Sequence, residues 1–112
     1  MKSIKQFDIW LANLNPAKGT EPGKIRPVVI IQSDLLNAHH NSTVICPFTT
    51  KIQMQLSILR IHSTPSQLDK PSDILVDQIR AIDNNRLIEK IGKLNTNQTS
   101  NLKESLKIIL DL

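Results

Sequence analysis

Between Gln6 and Leu14 the chain reads QFDIWLANL, and its apolar residues fall into two interleaved sets. Phe7, Ile9 and Leu11 share one face, and Trp10, Ala12 and Leu14 share the other. A period of two in β-forming residue types predicts a first strand, closed by Asn15-Pro16. Asn15 to Lys24 (NPAKGTEPGK) holds two prolines, two glycines and no apolar period, so it reads as a loop. Arg26 to Gln32 (RPVVIIQ) is a continuous β-branched run that predicts a strand buried on both faces. Pro27 has no amide to donate and belongs at the start of that strand. Ser33-Asp34 predicts a cap for one helical turn through Asn37, and His39 to Ser42 a polar loop.

The second half repeats the alternation with more interruptions. Thr43 to Phe48 (TVICPF) predicts a third strand, Thr49 to Gln55 a loop or bend, and Ser57 to Ile61 a fourth strand. Ser63 to Ser72, with Pro65 and Pro71, reads as a surface loop. Asp73 to Ile82 (DILVDQIRAI) predicts a fifth strand carrying a polar interruption at Asp77-Gln78. Asp83 to Leu87 suits a capped helical turn, and Ile88 to Leu94 a last short strand. Only then does the period change. From Thr96 to Leu112, Leu102, Leu106, Ile109 and Leu110 recur along one helical face, and Asn95 with Gln98 forms a capping-box pattern, with Thr96 as a rival cap. Strands first and a helix last indicate a small α+β domain whose antiparallel sheet curls into a partial barrel.

Composition narrows the class. The 112 residues fit one domain, spanning 1–112, and 39% hydrophobic with 21% charged residues suits a folded chain rather than a disordered tail. No apolar run is long enough to span a bilayer, and the basic start Met1 to Gln6 is followed by no apolar stretch of the secretory kind. Cys46 is the one cysteine, so no internal disulfide can form, which favours a reducing, cytoplasmic setting. The net charge of +4 admits a polyanionic partner without requiring one. Phe7, Trp10 and Phe48 are too few for a base-stacking platform, so any RNA contact would rest on charge and hydrogen bonds.

Polar residues out of place mark candidate chemistry. Arg26 opens an otherwise apolar strand and is locked by Pro27; it either caps the strand end in solvent or faces a ligand. Lys18, Lys24 and Glu21 lie in the loop just before it. Thr49-Thr50 follows the third strand, where local turn bonding is the plainer account. Asp77-Gln78 either alternates outward or joins a polar cluster on the concave side of the sheet. His39, His40 and His62 lack a matching set of cysteine or acidic ligands, so no metal is expected. Cys46, in an apolar strand, reads as inert core.

Taken in order, the segments DIWLANLNPAKGTEPGKIRPVVII, VICPFTT and DILVDQIRAIDNNRLIEKIGKL, with the terminal amphipathic helix, resemble the MazF/PemK (Kid) family of toxin endoribonucleases. The likeness runs from about Phe7 to Leu110. It implies an SH3-like barrel with a C-terminal helix, assembled as a homodimer. It also implies sequence-specific cleavage of single-stranded RNA that inhibits translation, with no metal and no cofactor. An antitoxin, whose disordered tail folds over the RNA groove, would be the partner. The family's essential arginine falls on Arg26, its catalytic threonine on Thr49, its loop acid on Glu21, and its Asp-Gln pair on Asp77 and Gln78.

RNA carries its own nucleophile, the 2′-hydroxyl, and an enzyme needs only to move two protons and stabilise charge on phosphorus. A planar guanidinium at Arg26 suits the last task, and the Thr49 hydroxyl can add a donor. Glu21 is the better base, since an arginine does not readily give up its proton. Lys18, Lys24, Lys51 and Arg80 are candidates for phosphate positioning, with Thr20 and Thr50 as polar neighbours. Asp77 and Gln78 suit the reading of base edges. The alternative from another class is a CcdB-like poison of DNA gyrase on the same fold. That group depends on a terminal Trp-Gly-Ile, whereas this chain ends Leu110-Asp111-Leu112.

Overall fold

A computed structural model describes residues 2–16, 19–20, 23–51, 60–62, 68 and 70–112, the side chain of His62 excepted. The strands are β1 (Asp8–Asn13), β2 (Ile25–Ile30), β3 (Ser42–Thr49), β4 (Arg60–His62), β5 (Asp73–Leu75), β6 (Arg80–Asp83) and β7 (Leu87–Lys93). The helices are α1 (Asp34–Asn37) and α2 (Thr96–Leu110). All strand pairings are antiparallel, in the order β4-β5-β3-β2-β1-β7, with β6 beside β3. Among the described residues the sheet curls but does not close. Pairing of β1 with β7 slips between Ile9 and Trp10 and again between Leu11 and Ala12, and such bulges bend a sheet.

The two interleaved apolar sets of the sequence become two core clusters. Trp10, Ala12 and Leu14 pack with Val28, Ile30, Ile45, Ile82 and Leu87 on one face. Ile9 joins Val29, Cys46, Phe48, Ile74 and Val76 on the other, which α2 covers through Leu102. Alternate residues of β2 and β3 thus feed opposite clusters, as expected of strands buried on both faces. Asn95 accepts from the Gln98 amide and Gln98 from the Asn95 amide, each at 2.8 Å, so the capping box forms. Ser33 caps α1 and Asp83 caps the 3-10 turn Asn84–Arg86, as read from the sequence.

Two expectations change. The long strand expected over 73–82 is broken: β5 and β6 both run along β3, but a 3-10 turn at Val76–Gln78 separates them. Ile74 opposes Phe48 and Arg80 opposes Ile45, so the broken strand has twice as many steps as β3 between these pairs. The surplus residues leave the ladder opposite Cys46 and Pro47, the latter without an amide to bond. Of the fourth strand expected over 57–61, Arg60 and Ile61 are seen in β4, and residues 57–59 lie outside those described. Leu110 remains 46% exposed while Leu106 and Ile109 pack on the core. At 100° per residue it sits about 80° around the helix from Leu102, beyond the buried stripe.

Candidate active site

One end of the curled sheet opens into a groove of about 700 Å³. Its apolar floor includes Leu11, Phe48 and Ile91, and its polar wall carries Lys24, Arg26, Thr49, Thr50, Lys51, Lys70 and Ser72. Four of these are cations, and no carboxylate stands among the described lining residues. An anionic strand entering here would meet one sign of charge against a low-dielectric floor.

Arg26 lies in β2 opposite Ala12 of β1. On its other side β2 pairs with β3, Val28 facing Pro47. Extending that register by two residues sets Arg26 beside Thr49, so both face the same way. The guanidinium is held by two carbonyls: Nε donates to Gly23 at 2.9 Å and Nη1 to Phe48 at 3.2 Å. Partial burial lowers its pKa, but an arginine keeps its proton at neutral pH. Five N–H donors less two leaves three for a ligand, in the fork that matches two phosphate oxygens. Thr49 Oγ1 accepts from the Lys51 amide at 3.2 Å, which leaves its own hydrogen to be donated.

Lys24 reaches the groove from a backbone with φ of 68°, a left-handed conformation uncommon outside glycine. It is fixed there from both sides. Its amide donates to Asn15 Oδ1 at 2.7 Å and its carbonyl accepts from the Leu14 amide at 2.8 Å.

The groove therefore gathers Arg26, Lys24, Thr49, Thr50 and Lys51 from the residues singled out in the sequence. Thr20 is exposed in a turn and is not part of the described lining. Asp77 and Gln78 sit in the 3-10 turn between β5 and β6, and Arg80 opposes Ile45 in β6; none of the three lines the groove. Lys18 and Glu21 lie outside the described residues. The charge of Asp77 also bears on Cys46. Burial first, and the Asp77 charge second, push that buried thiol up to about 12. His39 and His40 are exposed, and among the described residues no three His, Cys, Asp or Glu side chains gather as a metal site.

Sequence reading missed Leu68, Lys70 and Ser72, which border the groove from the segment before β5. A lysine beside a proline, just ahead of an apolar strand, was the available signal. Its proximity to Arg26 comes only from pairing of β5 with the end of β3.

Residues 5–110 match the model of the PemK-like, MazF-like toxins of type II toxin–antitoxin systems. The chain is 36% identical over 111 residues to the endoribonuclease MazF of Staphylococcus saprophyticus, covering 97% of this chain and 92% of that protein. Its fold superposes on MazF from Deinococcus radiodurans with a TM-score of 0.86 at 18% identity, over the whole of both chains. It also superposes on a mycobacterial endoribonuclease solved in complex with its cognate antitoxin, with a TM-score of 0.82 at 16% identity, over 98% and 97% of the two chains. With a family model spanning nearly its whole length, this chain belongs to the PemK-like, MazF-like family of type II toxin–antitoxin toxins.

Proposed function

We propose that the protein is a toxin endoribonuclease that cuts single-stranded RNA at short recognition sequences without a metal ion. The observation that carries this reading is the convergence of Arg26 and Thr49, from two strands, on one basic groove. In the reaction the 2′-hydroxyl attacks the adjacent phosphorus. Its proton passes to a base, the bond to the 5′-oxygen breaks, and that oxygen takes up a proton. The products are a 2′,3′-cyclic phosphate and a 5′-hydroxyl, with no change of oxidation state.

Arg26 stabilises the charge that builds on the phosphoryl oxygens, and Thr49 adds one hydroxyl donor. Glu21 is proposed as the base. Lys24, Lys51 and Thr50 would hold neighbouring phosphates, together with Lys18, Thr20 and Arg80, while Asp77 and Gln78 would read base edges. The last four reach RNA only if the strand extends beyond the described groove.

Three further features complete the proposal. A cognate antitoxin neutralises the toxin by covering the groove, in keeping with the family's type II systems. The protein works as a homodimer: the sheet is open, and Ile88 of its end strand β7 and Ile108 of α2 are exposed. It acts in the cytoplasm, where its RNA substrate lies. Among the described residues no helix is long and apolar enough to cross a membrane.

The test is cleavage of single-stranded RNA by the purified protein in EDTA, with the new ends identified. Cyclic phosphate and 5′-hydroxyl ends are expected. A strict requirement for Mg²⁺ would overturn the metal-free chemistry. Growth arrest through gyrase without RNA cutting would support the CcdB-like alternative. Size exclusion at low micromolar concentration tests the dimer, which a single monomeric species would refute.

A further inference from the structure

Beyond β3 the chain turns through Thr50 and Lys51, and two arginines grip this turn at its ends. Arg26 donates to the carbonyl of Phe48 at 3.2 Å, and Arg60 Nη1 donates to the carbonyl of Lys51 at 2.6 Å. The same Nη1 lies 3.7 Å from Oδ2 of Asp73, a carboxylate whose side chain is only 2% exposed. Asp73 opposes Thr49 in the ladder between β3 and β5. Arg60, opposite Leu75 in β4, stands diagonally across from Asp73 on the same face of that sheet. Between the two grips, the Lys51 amide donates to Thr49 Oγ1 at 3.2 Å.

We propose that Arg60 and Asp73 are a positioning pair that fixes the Thr49 hydroxyl in the groove by holding the Thr49–Lys51 turn. This role rests on the reading of Thr49 as a group that touches the phosphodiester. Asp73 anchors the guanidinium, and the guanidinium holds the Lys51 carbonyl. The Lys51 carbonyl and amide sit in adjoining peptide units that share the Lys51 Cα, so fixing the carbonyl restrains the amide, which stays on one lone pair of Oγ1 and leaves the hydroxyl hydrogen for a ligand. One nitrogen with two hydrogens serves the carboxylate and the carbonyl together. Neither residue lines the groove. Both act through the turn, and a displacement of about 1 Å at a reacting group costs up to a hundredfold in rate.

The rival role is structural, with Arg60 only neutralising a buried acid, and the experiment separates the two. Single-turnover cleavage is measured on an RNA that the wild-type protein cuts, and binding on its 2′-O-methyl counterpart. Arg60→Ala is expected to slow cleavage about 10- to 30-fold while binding stays within about threefold. Arg60→Lys should recover most of the rate by donating to Lys51 beside Asp73. Adding Arg60→Ala to Thr49→Ala should slow cleavage no further. Wild-type rates in folded Arg60→Ala, or effects of Arg60→Ala and Thr49→Ala that multiply, would overturn the pair's role. If Arg60→Ala does not fold, Arg60→Met with Asp73→Asn, which removes both charges, is read by the same two outcomes. Wild-type cleavage by Thr49→Ala alone would instead sink the reading of Thr49, and needs no Arg60 variant to be seen.

Discussion

The two ends of β3 carry polar residues in similar number and put them to opposite uses. At its start, Asn37, Thr43 and Gln32 are buried and bond to one another. Asn37 Oδ1 accepts from Gln32 Nε2 at 3.1 Å and from Thr43 Oγ1 at 2.9 Å, while Asn37 Nδ2 donates to the Gln32 carbonyl at 2.9 Å. Gln32 Nε2 also reaches the Ser42 carbonyl at 3.2 Å. Hydrogen-bonding capacity there is consumed inside the protein. At its end, Arg26 and Thr49 are only half-buried, and each keeps donors in hand after its internal bonds are made. A closed polar network fixes structure, whereas an anchored but unsaturated one is prepared for a ligand.

Substitutions at the two ends should therefore fail in different ways. Arg26→Ala is expected to slow RNA cleavage at least about a hundredfold, with the melting temperature shifted by only a few degrees. A comparable loss of stability would place Arg26 with the structural residues and erase the contrast. Asn37→Ala should do the reverse. It orphans buried groups on Gln32 and Thr43 and should cost about 2 kcal/mol, or roughly 10 °C in Tm, with cleavage per folded molecule unchanged.

A third probe lies between the two ends, at Cys46. Its folded pKa is raised to about 12 from an ordinary 9.0. Below pH 9 both folded and unfolded thiols are protonated and stability has its full value. Between pH 9 and 12 the unfolded thiol ionises first, so stability should fall by up to about 1.4 kcal/mol per pH unit. Urea titrations of wild type and Cys46→Ala across that range should show the variant losing this part of the slope. The smallest effect is expected at the groove rim. Lys51→Ala should weaken RNA binding a few-fold and reduce the slope of log affinity against log salt by about 0.7. An unchanged slope would remove Lys51 from the phosphate contacts.

Local chemistry made much of the fold legible in advance. The Asn95–Gln98 box, the Ser33 cap and the alternating faces of β1 are each set by residues near in sequence. The path of Asp73–Ile82 was not, because its break depends on how many residues of β3 it must match. That same break carries Asp77 and Gln78 away from the described groove. The candidate site was legible where one strand junction announced it, as at Arg26-Pro27 and Phe48-Thr49. It was not legible at Lys70 or Arg60, whose significance comes from long-range pairing through β5.

In β3, Ile45 packs in one cluster while Cys46 and Phe48 pack in the other. Odd and even positions are thus committed to opposite sides, and Thr49 shares the parity of Ile45. Inserting or deleting a single residue in this strand would swap the sides and turn Thr49 away from Arg26, whereas a change of two would restore both. Length variation here is therefore quantised, and the strand's count of residues is as much a determinant of the toxin as their identity.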